Sequence, residues 1–106
     1  MTVDKEILEH IVDQIVELAH PDCVILFGSA AMGNMTADSD LDLLVAERQV
    51  PNTRQESIRL RAALDDVPFP IDVIVMSRQW FDDTKDVIGG IAYPAHKYGR
   101  VLYEAA

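Results

Sequence analysis

Between Asp4 and Ala19 the apolar residues Ile7, Leu8, Ile11, Val12, Ile15, Leu18 and Ala19 recur at three- and four-residue intervals, with Glu6, Glu9, Asp13 and Glu17 between them. That spacing predicts an amphipathic helix with one face reserved for a core. His20-Pro21 ends it, because the residue before a proline avoids helical backbone. The pattern then changes period. "CVILFG", "LDLLVAE" (41–47) and "IDVIVMS" (71–77) are short, almost wholly apolar runs rich in β-formers, which predicts strands covered on both faces. Between the second and third, Thr53-Arg54-Gln55-Glu56 reads as a capping box that opens a helix running to about Asp66, with Leu60, Ala63, Leu64 and Val67 on one face. The last third is less regular. It predicts one or two helices, interrupted at Gly89-Gly90 and bent or ended near Pro94, then a short apolar segment at Val101 to Tyr103. Helices alternating with strands, with no linker or repeat between them, give one α/β (α+β) domain over residues 1–106: a small mixed sheet flanked by helices.

Composition narrows the function classes. The chain has 106 residues and a net charge of −9, with Lys and Arg only scattered. Such a surface repels phosphate backbones, so direct nucleic-acid binding is not expected; it suits a basic protein partner, or simply keeps the chain soluble. One cysteine, Cys23, allows neither an internal disulfide nor a cysteine zinc site. No apolar stretch approaches the ~20 residues of a membrane span, and the charged start is unlike a signal peptide, so the expected location is the cytoplasm. Self-association is left open.

One feature conflicts with the apolar pattern: aspartates sit where strands are about to be buried. An ionised carboxylate inside a domain costs several kcal/mol unless it is paired. In "GSAAMGNMTADSDLDLLV" (28–45) the glycines at 28 and 33 have P-loop spacing, but Asn34-Met35 stands where Lys-Ser/Thr is required. Asp38, Asp40 and Asp42 imitate the first ligands of an EF-hand, yet Leu43 occupies the glycine position and Gln49 the bidentate glutamate position. The reading that explains more residues takes Asp40 and Asp42 as a same-face pair two residues apart, about 6.5–7 Å along a strand. Asp72 interrupts a second apolar strand, and a neighbouring strand lies only about 4.8 Å away. Three such carboxylates can share divalent ions, and an all-oxygen donor set favours Mg²⁺ or Mn²⁺ over zinc. Gly28 and Ser29 end the first strand, where a close backbone approach and a hydroxyl suit anionic oxygens. Asp38 is left as a loop or capping residue.

Gly28-Ser29, ten intervening residues, Asp40-Leu41-Asp42 and then Asp72 in "PIDVIV" resemble the signature of the small nucleotidyltransferases of the DNA polymerase β superfamily, the minimal nucleotidyltransferases. The similarity extends through "KDVIGGIAYPAHKYGRVLYE" at the C-terminal end and so covers most of the chain. The resemblance implies the nucleotidyltransferase fold and transfer of a nucleoside monophosphate from an NTP, usually ATP, to an acceptor hydroxyl with release of pyrophosphate. It implies Mg²⁺ ligation by Asp40, Asp42 and Asp72, help from Asp72 in deprotonating the acceptor, and phosphate binding at Gly28 and Ser29. Members of this size are commonly paired with a small helical HEPN-type toxin, which they neutralise as antitoxins by adenylylating a tyrosine. Two alternatives stand beside this one: a weakened site that neutralises the partner by occlusion, and transfer to a small molecule.

One departure bears on catalysis. Relatives carry arginines just after Gly-Ser, where this chain has Ala30 and Met32, and no Lys or Arg occurs between Ser29 and Glu47. Magnesium and backbone amides then do more, or Arg78, Lys85, Lys97 or Arg100 reaches in, or a partner supplies the charge; taken singly, each of the four reads as solvated surface. The remaining polar and aromatic candidates read as structural: His10 and His20 on a helix edge and end, His96 in the last helix, and Trp80, Phe81, Tyr93 and Tyr98 packing that helix rather than stacking on a base.

Overall fold

The computed structural model describes residues 4–33 and 40–106; Asp38 lies outside them. Helix α1, Lys5–Ala19, begins where the Asp4 carboxylate accepts the Glu6 N–H, and ends as His20 turns into left-handed backbone before Pro21. Strand β1 is Cys23–Phe27, and the single turn α2, Gly28–Ala31, follows it directly. Strands β2, Leu41–Glu47, and β3, Ile71–Ser77, occupy the two predicted runs, with helix α3, Thr53–Ala62, crossing between them. Helices α4, Arg78–Thr84, and α5, Ala92–Tyr98, precede the closing strand β4, Arg100–Glu104.

The sheet runs β3-β2-β1-β4. β2 and β3 are parallel, as a helical crossover requires, while β1 is antiparallel to both β2 and β4. Side-chain alternation divides the core in two. Leu41, Leu43, Val45, Val73 and Val75 face Leu8, Ile11 and Ile15 of α1 and Leu60 of α3. Leu44, Ala46 and Met76 face Phe81 of α4 and Ala92 and Ala95 of α5. Strand β1 contributes to both sides, Val24 and Leu26 to one and Cys23 and Ile25 to the other, as its unbroken apolar run predicts.

Three expectations need correction. The cap of α3 is Asn52, whose side-chain oxygen accepts the Gln55 N–H at 2.9 Å; Glu56, assigned to a capping box, turns instead to Arg59. The helix stops at Ala62 rather than near Asp66, because tight turns with hydrogen bonds Leu64 N to Arg61 O and Val67 N to Leu64 O bring both apolar side chains into the core. Pro94 neither bends nor ends a helix. It sits in the first turn of α5, where a missing N–H removes no intrahelical bond.

Candidate active site

The end of β1 and the beginnings of β2 and β3 meet at one edge of the molecule, and the sequence-predicted residues gather there. Parallel register pairs Asp42 with Asp72, while antiparallel register pairs Asp42 with Phe27, the residue before Gly28. The central aspartate therefore has the third acid on one side and the Gly-Ser turn on the other. By alternation Asp42 projects to the α4–α5 side of the sheet, while Asp72, on the edge strand, also borders the cleft beside α3. Asp40 precedes β2 and is exposed, Asp42 is half-buried and Asp72 is exposed, so the carboxylates stand at the mouth of the sheet rather than inside it. A bond from Leu41 N–H to Pro70 C=O at 2.8 Å ties the entries of β2 and β3 together.

Gly28 takes φ +71°, left-handed backbone that glycine adopts without steric cost. A Cβ there would run into the Asp42 carboxylate, whose Cγ lies 3.3 Å from the position it would occupy. Glycine thus lets the main chain pass against the acid. Partial burial raises the Asp42 carboxyl above the ordinary carboxylate range, and the charges of Asp72 and Asp40 raise it further. Among the described residues no three His, Cys, Asp or Glu side chains close around an ion-sized space. The cluster is an open, oxygen-only group whose like charges a divalent cation would relieve, and in donor chemistry it fits Mg²⁺ or Mn²⁺.

Of the four basic residues considered for the missing positive charge, Arg78 and Lys85 lie at the far end of the sheet, while Lys97 and Arg100 face other groups. Arg78 bonds Asp82 at 3.1 Å, and both it and Lys85 line a cleft with Cys23 and Glu104, at the opposite end of β1. Arg100 lines an outer groove with Lys5 and Glu9 of α1. Lys97 lies over the rings of Tyr93 and Tyr98, at 5.5 and 5.4 Å from their centroids. The basic side chain that shares a cleft with Asp72 is Arg61, in the last turn of α3, with Ser57 and Ile58 beside it in a space of about 380 Å³ along the open edge of β3. A crossover between parallel strands must bring the end of its helix back to the start of the next strand, so this proximity was readable in outline.

The aromatic expectation holds for Phe81 alone in full. Phe81 is buried, with His96 edge-on at 6.1 Å, and Tyr93 is half-buried. Trp80 and Tyr98 instead leave 60% and 54% of their surface exposed, because their positions on α4 and α5 face away from the sheet. His10 does lie on a helix edge, where it meets Asp66 at 2.8 Å.

The sequence profile of the family described as "Polymerase beta, Nucleotidyltransferase" matches residues 9–105. The chain belongs to the polymerase β nucleotidyltransferase family. Among solved structures, a candidate nucleotidyltransferase from Sulfolobus solfataricus superimposes with a TM-score of 0.62 at 18% identity, over 93% of this chain and 78% of that one. That likeness supports the fold, the four-stranded mixed sheet with helices on both sides. No curated protein matches the chain. As a nucleotidyltransferase domain, the molecule keeps Gly28, Ser29, Asp40, Asp42 and Asp72 together at one end of its sheet. Among the described residues, no helix of this nucleotidyltransferase is long and apolar enough to cross a membrane.

Proposed function

We propose that this nucleotidyltransferase transfers AMP from ATP to a hydroxyl of a partner protein, and that the partner is a small helical HEPN-type toxin for which the chain is the antitoxin. The observation that carries the transferase part is the in-register pairing of Asp42 with Asp72, against Gly28 on the neighbouring strand. The protein-acceptor part rests on the family resemblance.

In this reading Asp40, Asp42 and Asp72 hold Mg²⁺ or Mn²⁺, which when bound neutralises charge on the transferring and leaving phosphates. The chain's own groups do the positioning. Gly28 brings the main chain against the phosphates, and Ser29 offers its hydroxyl to their β and γ oxygens. Asp72, exposed at the mouth, accepts the proton of the acceptor hydroxyl as that oxygen attacks the α-phosphorus. The new O–P bond forms as the α–β phosphoanhydride bond breaks, and pyrophosphate leaves. Incubation with α-labelled ATP, Mg²⁺ and a small helical HEPN-type protein, where the neighbouring gene encodes one, should label that protein. Asp40→Ala with Asp42→Ala should abolish the label; equal labelling by the double variant would refute the assignment.

A second reading, neutralisation by occlusion, is favoured by one observation: Arg78 and Lys85 pair with Asp82, and Lys97 lies over the Tyr93 and Tyr98 rings. Oxyanion charge left without such donors costs several kcal/mol of transition-state stabilisation. Full toxin protection by the Asp40→Ala, Asp42→Ala variant, with no transfer by the wild type, selects this reading.

A further inference from the structure

Glu47 closes β2 at the end opposite Asp42, five residues and about 17 Å away along the strand. It shares the parity of Leu41, Leu43 and Val45, so it points to the side of α1 and α3. Only 7% of its surface is exposed, and its Oε2 is sealed from solvent without a hydrogen-bond partner among the described residues. Its carboxyl meets that of Glu56 on α3. Arg59 in turn grips Glu56 with two donors, Nε at 2.8 Å and Nη2 at 2.9 Å. The same Nη2 donates to the Leu18 carbonyl in the last turn of α1 at 3.3 Å. One chain of contacts therefore runs from the end of β2 through α3 to the end of α1.

Two carboxyls in contact cannot both ionise cheaply, so one of the pair keeps its proton. The Arg59 fork stabilises charge on Glu56, which leaves the proton to Glu47. The charged groups facing Glu47 are Glu56 and Arg59, both from α3; the cleft of about 250 Å³ beside it is otherwise lined by Gln49, Val50, Pro51, Asn52 and Gln55. From α1 comes the Leu18 carbonyl, and in β3 the residue level with it is Ser77. We infer that Glu47 is held as the neutral acid, donating its proton to Glu56, and that this shared proton is a pH-sensitive tie joining β2, α3 and α1.

The electrostatics agree with the geometry. Burial, reinforced by Glu56, pushes the Glu47 carboxyl up to about 8, while the hydrogen bonds from Arg59 hold Glu56 below the ordinary range. A group that binds its proton more tightly folded than unfolded favours the fold at low pH. Its contribution is whole below the ordinary value of 4.5 and is lost as pH rises to about 8, where the loss levels off. One proton changes the unfolding equilibrium by up to about tenfold per pH unit across that window.

Two measurements on the intact protein test the tie, neither of which depends on the proposed transfer. Glu47→Gln keeps the size of the side chain and supplies a permanent N–H to Glu56. Melting followed from about pH 5 to about pH 8 should show wild-type stability falling relative to Glu47→Gln, with the variant the more stable at the upper end. Parallel curves, or a variant uniformly weaker at every pH, would overturn the inference. Should the variant fail to fold, carbon-13 NMR of the wild-type Glu47 carboxyl decides. Titration near pH 8 supports the tie, and titration near 4.5 overturns it.

Discussion

At Gly28 the constraint is steric and electrostatic at once. Its φ of +71° costs a residue with a Cβ about 1–2 kcal/mol, and that Cβ would also displace the Asp42 carboxylate. Gly28→Ala should therefore lower stability by at least that amount in chemical denaturation, and lower nucleotidyl transfer about 100-fold, the scale on which a displaced catalytic group costs rate. Adding Asp42→Ala should recover the steric part, so a double-mutant cycle on stability should show coupling rather than additivity. Asp42 permits a second prediction of opposite sign. Its carboxyl is raised by burial and by the Asp72 and Asp40 charges, so ionising it opposes folding, and stability falls as pH rises through its titration. In metal-free buffer near neutral pH, Asp42→Asn should melt higher than wild type while losing transfer. A lower melting temperature would mean that the charge is compensated in place.

At the level of elements, the strands were legible almost to the residue, because unbroken apolar runs leave little freedom in where a doubly covered strand begins and ends. Asp42 and Asp72 stood out for the same reason, as polar interruptions of those runs, and Asp40 by its two-residue spacing from Asp42. Helix ends were less legible. Both Asn52 and Thr53 have capping side chains; Asn52 takes the role, accepting the Gln55 N–H, while Glu56 bonds Arg59. Glu47 passed as the polar end of a strand, since its burial depends on α3 and α1 closing over it, which no local pattern encodes. Asn52→Ala should accordingly cost about 1 kcal/mol in denaturant unfolding, whereas Thr53→Ala should be close to neutral. Equal costs would return the cap to a shared role.

Across the whole molecule the anomaly is charge. A protein of net charge −9 that concentrates three carboxylates at its mouth repels a metal-bound nucleoside triphosphate at long range. Its basic side chains do little to offset this. Arg78 and Lys85 both engage Asp82, and Arg61 reaches Asp65 at 3.4 Å beside the cleft that holds Asp72. Most proteins that bind phosphates through basic side chains lose affinity as salt rises. Here the opposite is expected. Raising ionic strength from about 0.01 M to about 0.15 M shortens the screening length from about 30 Å to about 8 Å, so with Mg²⁺ saturating, the affinity for a non-hydrolysable ATP analogue should increase. Calorimetric titration at the two ionic strengths measures this directly. Weakening with salt would show that basic side chains carry the binding after all, and Arg61→Ala would then be the variant expected to remove that dependence, since Arg61 lines the cleft that includes Asp72.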